Sequence, residues 1–173
     1  DPILINMIAN DVDIHNEIGN FIFGTYSESN RSMAKSLVFG IIYGMGDKKL
    51  ADTLGSLQKA QQARARLYKM MPGLGKFAKS LDKSIQTLGY VVTDFGRRHK
   101  IPKRESYKSM SGVVQGTAGD EVKTRMIALQ EEFDRSIPGA TVLLNIHDEV
   151  ACEVPLEYKT LGMQIVHRIM NET

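Results

Sequence analysis

The sequence predicts an α+β fold that is predominantly helical and carries two short antiparallel strand pairs. Most of its 173 residues fall into segments with helical periodicity, separated by glycine, proline or short polar breaks. Runs of β-branched and aromatic residues occur in two places. A hydrophobic content of 42% can bury one core, which favours an ordinary globular domain over a disordered or disulfide-linked chain.

Six helical segments are predicted before the first strand pair. They cover residues 2–9, 14–24, 31–44, 47–55, 58–71 and 74–88. Ser29 or Asn30 is expected to cap the third segment, because both lie in the polar break before it. Pro72 is expected to stop the fifth segment and Gly89 the sixth.

The second half of the chain alternates strands with helices. Residues 90–93 and 99–102 are predicted to pair as strands, followed by a long helix over about 112–134. Residues 141–146 and 150–154 form a predicted hairpin, with His147, Asp148 and Glu149 at its tip. A last helix is predicted over 157–171.

The net charge of +2 conceals a strongly basic segment in the middle of the chain. Residues 59–108 carry 13 basic and 3 acidic side chains, whereas the segments on either side are both acidic. Such a block is typical of a protein that binds a polyanion such as a nucleic acid. A solvated basic helical face would look the same, so charge alone leaves both interpretations open.

Two classes of protein are excluded by the apolar patterning and the cysteine content. No apolar run approaches the about 20 residues that a membrane span requires, so no membrane partner is expected. The first residues, Asp1-Pro2-Ile3, lack a basic signal region, which argues against secretion, and they suggest a chain that begins internally. The single cysteine, Cys152, cannot form an internal disulfide and is expected to be a small buried hydrophobe.

The predicted helix 31–44 carries four chemically distinctive side chains at intervals of four. Arg31, Lys35, Phe39 and Tyr43 share one face, because steps of four drift by only about 40° on an α-helix. The cations could hold a phosphate chain while a ring stacks on a base. Alternatively, the rings belong to the core and the cations extend to its edge.

The hairpin tip offers two adjacent carboxylates, Asp148 and Glu149. Mg²⁺ prefers such oxygen ligands together with substrate phosphates, although turns also favour aspartate for backbone reasons. One hairpin cannot supply a complete two-metal site, since that needs carboxylates from more than one segment.

Taken in order, these segments resemble the motifs of the DNA polymerase I family, family A of the DNA-directed DNA polymerases. Residues 31–44 are similar to its motif B, R-x3-K-x3-F-G-x2-Y-G, and residues 146–150 (IHDEV) to its motif C. Residues 95–98 (FGRR) and 114–120 (VQGTAGD) resemble two further motifs between them, and Asp13-Ile14-His15 resembles the stretch after motif A.

The resemblance implies the fold of a right-hand polymerase, in which this chain is a partial polymerase domain. Residues 1–89 would be mostly fingers, with the nucleotide-binding O helix at 31–44. Residues 90–173 would form part of an antiparallel-sheet palm, with the HDE hairpin.

The resemblance also implies roles for the helical stripe. Arg31, Lys35 and His15 would hold the incoming triphosphate, with Lys35 as general acid toward the pyrophosphate leaving group. Phe39 would pack on the sugar and base and discriminate against dideoxynucleotides, and Tyr43 would lie at the template edge of the nascent pair.

Further residues are implied to contact DNA or metal. Arg97, Arg98 and Gln115 would contact the duplex near the primer terminus, and His147 the primer end. Asp148 would be a metal ligand and a catalytic residue. Glu149 would be a second ligand or would support the first.

The function that the resemblance implies is template-directed DNA synthesis, the transfer of dNTPs to a primer 3′ end by a two-metal mechanism with two Mg²⁺ ions. The partners would be primer-template DNA, dNTPs, and a motif A and thumb portion or companion polypeptide. Motif A would precede Asp1, so the chain is expected to be a fragment that is inactive alone. It would work in the cytoplasm or wherever the replicating DNA lies.

Two other interpretations remain open at this point. One is a non-catalytic relic that binds DNA or nucleotide, or acts as a processivity partner. The other is a structural helical protein in which the motifs occur by chance.

Overall fold

A computed structural model describes residues 1–25, 27–147 and 149–171. They form helices joined by short turns, together with two separate two-stranded antiparallel sheets, as the predicted fold class requires. The helices are α1 (Pro2–Ala9), α2 (Ile14–Phe23), α3 (Glu28–Ile42), α4 (Asp47–Leu54), α5 (Leu57–Met70), α6 (Pro72–Leu88), α7 (Ser109–Ser136) and α8 (Lys159–Asn171). The strands are β1 (Tyr90–Val92), β2 (Arg98–Lys100), β3 (Thr141–Ile146) and β4 (Glu149–Glu153).

The chain divides into two compact units, and the division falls within α7. The first unit runs from Asp1 to Val114 and the second begins at Gln115. The first therefore contains α1 to α6 and the β1–β2 hairpin, and the second contains the β3–β4 hairpin and α8. The two units are separated by how densely each packs on itself, not by similarity to polymerase subdomains. The assignment of 1–89 to fingers and 90–173 to palm therefore stays a prediction.

Helix α3 begins three residues before the predicted start. Its N-cap is Ser27, whose side chain accepts a hydrogen bond from the backbone N–H of Asn30 at 3.0 Å. The prediction that Ser29 or Asn30 caps this helix was wrong, because both lie within its first turn. The side chain of Asn30 instead donates to the backbone carbonyl of Thr25 at 2.8 Å.

Other elements also differ from the sequence prediction. Helix α6 begins at Pro72, where proline fits the first turn since no N–H is needed there. Strand β2 begins at Arg98, and its register pairs Val92 with Arg98 and Tyr90 with Lys100. Residues Lys103–Lys108 form a 3₁₀ turn that no sequence pattern indicated.

Each unit has its own buried side chains. In the first unit, one cluster is built by α2 to α5, with Ile18, Leu37 and Leu67 completely buried. A second cluster packs α6 against β1 through Ile85 and Val91. The core of the second unit contains Leu129, Phe133, Ile137, Ala140, Ile165 and Ile169.

Candidate functional site

Helix α3 has one buried face and one exposed face. Ala34, Leu37 and Ile41 point into the core, at helical spacing. Phe39 and Tyr43 lie on the other side, 40% and 50% exposed. The stripe of cations and rings is therefore solvent-facing, which rules out the alternative in which these two rings belong to the core.

The aromatic side chains of this face form a continuous row across two helices. The ring of His15 on α2 lies 5.8 Å from that of Phe39, and Phe39 stacks on Tyr43 with centroids 6.3 Å apart. The Lys35 Nζ lies 6.0 Å from the centre of the Phe39 ring. The structure thus brings His15, from another helix, to the predicted residues Lys35, Phe39 and Tyr43 of α3.

A glycine allows α2 to approach α3 closely enough for this row to form. A Cβ on Gly19 would lie only 3.1 Å from the backbone carbonyl oxygen of Asn30. Gly19 follows His15 by four residues, so it lies one turn further along the same helix. Any larger residue there would push α2, and His15 with it, away from α3.

Arg31 is held by a residue to which the sequence assigned no role. The Asp13 carboxylate caps α2 by accepting from the Asn16 N–H at 3.0 Å through Oδ1. Its other oxygen, Oδ2, accepts from the Arg31 Nε at 2.8 Å. The cap could have been found from sequence, because Asp13 directly precedes a helical segment, but the pairing with Arg31 joins two different helices.

The charges of this face shift the protonation equilibria within it. Burial lowers the pKa of His15 from 6.5; the nearby Asp13 opposes this shift, and Arg31 and Lys35 add to it. The hydrogen bond from Arg31 lowers the pKa of Asp13, and the Asn16 N–H lowers it further. A neutral His15 beside two cations can donate a hydrogen bond from its ring N–H to an anionic ligand.

The C-terminal end of α3 is fixed by a glycine and an arginine. Gly44 has a φ of +75° and lies against the backbone of Tyr107. Arg64 donates to the Met45 carbonyl and to the Asp47 carboxylate, both at 2.6 Å. Gly44 and Tyr107 border an open pocket of about 560 Å³, which is also lined by Tyr43, Met45, Gly46 and Lys49.

Part of the basic block serves the fold itself. Arg64 makes the bonds just described, and Arg66 donates to the backbone carbonyl of Ile22. The lysines of α6 at positions 76, 79 and 83 are exposed on that helix. The basic block is therefore partly structural and partly a solvated surface.

The predicted DNA-contacting residues are divided between the two units. Arg97 and Arg98 are exposed at the β1–β2 hairpin, where the Arg98 guanidinium lies 5.0 Å from the centre of the Tyr90 ring. Gln115 is exposed on α7 at the start of the second unit. His147 is exposed on the β3–β4 hairpin of the second unit.

An asparagine braces the β3–β4 hairpin, and Glu149, predicted at the tip, is instead the first residue of β4. Ile146 pairs with Glu149, and His147 adopts a φ of +57°. The Asn145 Nδ2 donates to the carbonyls of His147 at 3.0 Å and Glu149 at 3.1 Å. Asp148, the predicted metal ligand, lies outside the described residues.

Asn145 is the second residue that the sequence analysis missed. Asparagine before a turn often bonds to the local backbone, and this tendency is the signal that could have indicated it. Glu149 is exposed beside the turn, at the first position of β4.

The donors at this turn suit a hard cation but do not form a complete site. Glu149 offers carboxylate oxygens, the ligand type that Mg²⁺ prefers. Within 1–25, 27–147 and 149–171, no three His, Cys, Asp or Glu side chains are grouped closely enough to hold a metal ion. In the same part of the chain, no helix is both long and apolar enough to cross a membrane.

Comparison with known families decides the identity of the fold. The family model described as DNA polymerase family A matches residues 1–173. The chain belongs to DNA polymerase family A. Because this match covers the whole sequence, the motifs did not arise by chance in an unrelated helical protein.

Two curated relatives in this polymerase family come from bacteria. The chain is 32% identical to a DNA polymerase I of Helicobacter pylori, over 92% of this chain and 19% of that protein. It is 30% identical to the thermostable DNA polymerase I of Thermus aquaticus, over 98% of this chain and 22% of that protein. The chain therefore spans about a fifth of the length of these relatives.

A solved polymerase structure has the same fold. It is the POL domain of Pol1 from M. smegmatis, in complex with DNA primer-template and dNTP. The TM-score is 0.83 at 22% sequence identity, covering 96% of this chain and 32% of that one. The likeness confirms the predicted α+β polymerase fold.

Proposed function

We propose that this chain is the nucleotide-binding part, and one side of the metal-binding part, of a template-directed DNA polymerase. The observation that carries the proposal is the row of exposed Lys35, Phe39 and Tyr43 beside the partly buried His15, with Arg31 on the same helix face. Packing of the core does not account for two stacked rings that are exposed to solvent beside two cations. An incoming dNTP offers both partners, since it combines a polyanion with a flat base.

The two kinds of side chain would bind different parts of the nucleotide. Arg31 and Lys35 would bind the triphosphate by charge-assisted hydrogen bonds, with His15 as a neutral donor. Phe39 would pack against the sugar and base. Tyr43, beside the open pocket at the end of α3, would border the template side of the nascent pair.

Lys35 is the group that we assign to proton transfer. When the primer 3′ hydroxyl releases its proton to water and its oxygen bonds to the α-phosphorus, the bond from that phosphorus to the bridging oxygen of pyrophosphate breaks. The ammonium of Lys35 would give its proton to that oxygen, which removes charge from the leaving group.

Asp148 and Glu149 would hold Mg²⁺, and the ions would neutralise developing charge on the phosphates. The donor chemistry of Glu149 fits this role, but the described residues do not complete a ligand set. We therefore propose that further carboxylates come from a segment other than these 173 residues. On this proposal, the 173 residues alone do not extend a primer.

DNA would bind through exposed basic and amide groups in both units. Arg97, Arg98 and Gln115 would contact the duplex near the primer terminus, and His147 the primer end. Minor-groove acceptors are nearly alike for all base pairs, so such contacts suit an enzyme that copies any sequence. Residues 1–89 would then correspond mostly to fingers and residues 90–173 to part of the palm.

Primer extension by the intact polypeptide that contains these residues tests the proposal. We expect Asp148→Ala to abolish Mg²⁺-dependent extension by several orders of magnitude and Lys35→Ala to slow it by about 100-fold, a typical value for loss of a general acid. Lys48→Ala is the matched control, because Lys48 is an exposed lysine on α4, off this face. Equal rates for the Lys35 and Lys48 variants would contradict the assignment.

The hairpin provides a second matched pair. Glu149 and Glu153 are exposed at opposite ends of β4, so their substitution by glutamine removes the same charge from the same strand. We expect Glu149→Gln to raise the Mg²⁺ concentration needed for half-maximal extension and Glu153→Gln to leave it unchanged. An intact polypeptide that binds primer-template but never extends it would instead favour the non-catalytic relic.

A further inference from the structure

We propose that Asp13 is a positioning residue for the nucleotide, one that joins the start of α2 to the Arg31 guanidinium and so fixes the anion-binding groups as one rigid unit. The inference rests on the proposed function, because it assigns a role toward the same triphosphate. It concerns a side chain that would touch Arg31 rather than the nucleotide.

The geometry of the Asp13 carboxylate carries the argument. One oxygen accepts from the Asn16 N–H at 3.0 Å and the other from the Arg31 Nε at 2.8 Å. The first bond fixes the carboxylate to the helix that carries His15, and the second orients a side chain of α3. One carboxylate thereby sets the relative positions of His15 and Arg31.

The choice of donor atom on Arg31 supports a positioning role. A guanidinium binds a phosphate best through a fork of two N–H groups. Asp13 engages the Nε, and because the guanidinium is planar, this one bond fixes the plane in which its terminal nitrogens would meet a phosphate. Arginine has many rotamers, so an aspartate fixed by a helix cap reduces the conformational entropy lost when the phosphate binds.

The Asp13 carboxylate also repels a triphosphate, and this repulsion must be compared with the benefit of orienting Arg31. The Arg31 and Asp13 side chains are 36% and 44% exposed, so water and salt screen the repulsion. The charge of Asp13 is moreover balanced by its bond to Arg31. We therefore expect orientation to outweigh repulsion, and loss of the carboxylate to weaken nucleotide binding.

The substitution Asp13→Asn isolates this role. Asparagine is as good an N-cap as aspartate, so α2 keeps its start. Its amide cannot accept from Arg31 as well as a carboxylate does. Glu28→Gln is the matched control, because Glu28 is a second acidic neighbour of Arg31, at 3.9 Å and 78% exposed.

The experiment measures both dNTP binding and primer extension in the intact polypeptide. We expect Asp13→Asn to raise the Kd and the KM for dNTP by about fivefold, the scale of one partly exposed charged pair, with kcat within twofold. Glu28→Gln should change neither. In an Arg31→Gln background, Asp13→Asn should have no further effect, since its partner is gone.

Four results would overturn the inference. Tighter dNTP binding by Asp13→Asn would mean that the carboxylate only repels. An equal effect in the Arg31→Gln background would mean that Asp13 acts independently of Arg31. If the wild type bound no dNTP, the proposed function would fail together with this inference. If the wild type and Asp13→Asn bound dNTP equally well, only the role of Asp13 would be refuted.

Discussion

Gly44 lies against the backbone carbonyl of Tyr107 so closely that a Cβ on Gly44 would come within 2.1 Å of the carbonyl oxygen. The contact joins the end of α3 to the 3₁₀ turn Lys103–Lys108. Gly44 also has a φ of +75°, which other residues rarely adopt. Position 44 is therefore restricted to glycine for two independent reasons, one steric and one conformational.

Gly44→Ala is expected to destabilise the fold more than Gly55→Ala does. Gly55 has a similar φ of +83° but nothing within 4 Å of its added Cβ, so its substitution measures the conformational cost alone. We expect about 1–2 kcal/mol for Gly55→Ala and at least about 1 kcal/mol more for Gly44→Ala. Urea unfolding of both variants measures the difference, and equal values would contradict the contact with Tyr107.

Phe39 and Leu37 should respond in opposite ways to truncation, because they lie on opposite faces of α3. Leu37 is completely buried, so Leu37→Ala is expected to cost about 2–5 kcal/mol of stability. Phe39 is 40% exposed, so Phe39→Ala should cost less than about 1 kcal/mol while weakening dNTP binding. Thermal unfolding and nucleotide titration separate the two effects. A Phe39 variant as unstable as the Leu37 variant would show that Phe39 is a core residue.

His15 is expected to titrate below 6.5, because its burial disfavours the imidazolium form. The folded protein then binds this proton less tightly than the unfolded chain does. His15 accordingly contributes stability that is complete above pH 6.5 and is lost as the pH falls through its lowered pKa. The substitution His15→Gln should flatten this part of the stability profile.

Two variants test the causes of that shift by NMR titration of the imidazole. Asp13 raises the pKa of His15 and Lys35 lowers it. Asp13→Asn should therefore lower the midpoint further, and Lys35→Met should raise it. A wild-type midpoint at or above 6.5 would refute the burial of His15 beside α3.

Asn145→Ala is expected to loosen the turn of the β3–β4 hairpin, because one amide donates to the carbonyls of both His147 and Glu149. We expect a loss of about 1 kcal/mol, with faster amide exchange across the hairpin. Asn171→Ala is the control, since Asn171 donates to one carbonyl at the end of α8. If both variants leave amide exchange in the hairpin unchanged, Asn145 does not brace the turn.

The sequence located a helix or strand correctly where residues at its own ends determine where it begins or stops. Helix α2 was predicted over 14–24 and runs over Ile14–Phe23, because Gly24, with a φ of +82°, ends it. The start of α3 was missed because Ser27, Ser29 and Asn30 are all good caps, and only the fold selects one. No local signal marked the 3₁₀ turn, which packs against α6.

In the candidate site, too, features within one helix could be predicted and contacts between helices could not. Helical spacing predicted that Arg31, Lys35, Phe39 and Tyr43 share a face, but not whether that face is exposed, since this depends on which side of α3 the other helices cover. The bond between Asp13 and Arg31 joins residues 18 positions apart, so no periodicity within one helix could reveal it.

Cys152 gives the chain a natural reporter of motion in the β3–β4 hairpin. It is the single cysteine of the sequence, it pairs with Val142 across the two strands, and burial raises the pKa of its thiol. Thiol reagents attack the thiolate, so alkylation should be slow while the hairpin is closed and should accelerate whenever it opens. Kinetics of labelling at this one atom would thus follow the opening of the hairpin, without any engineered probe.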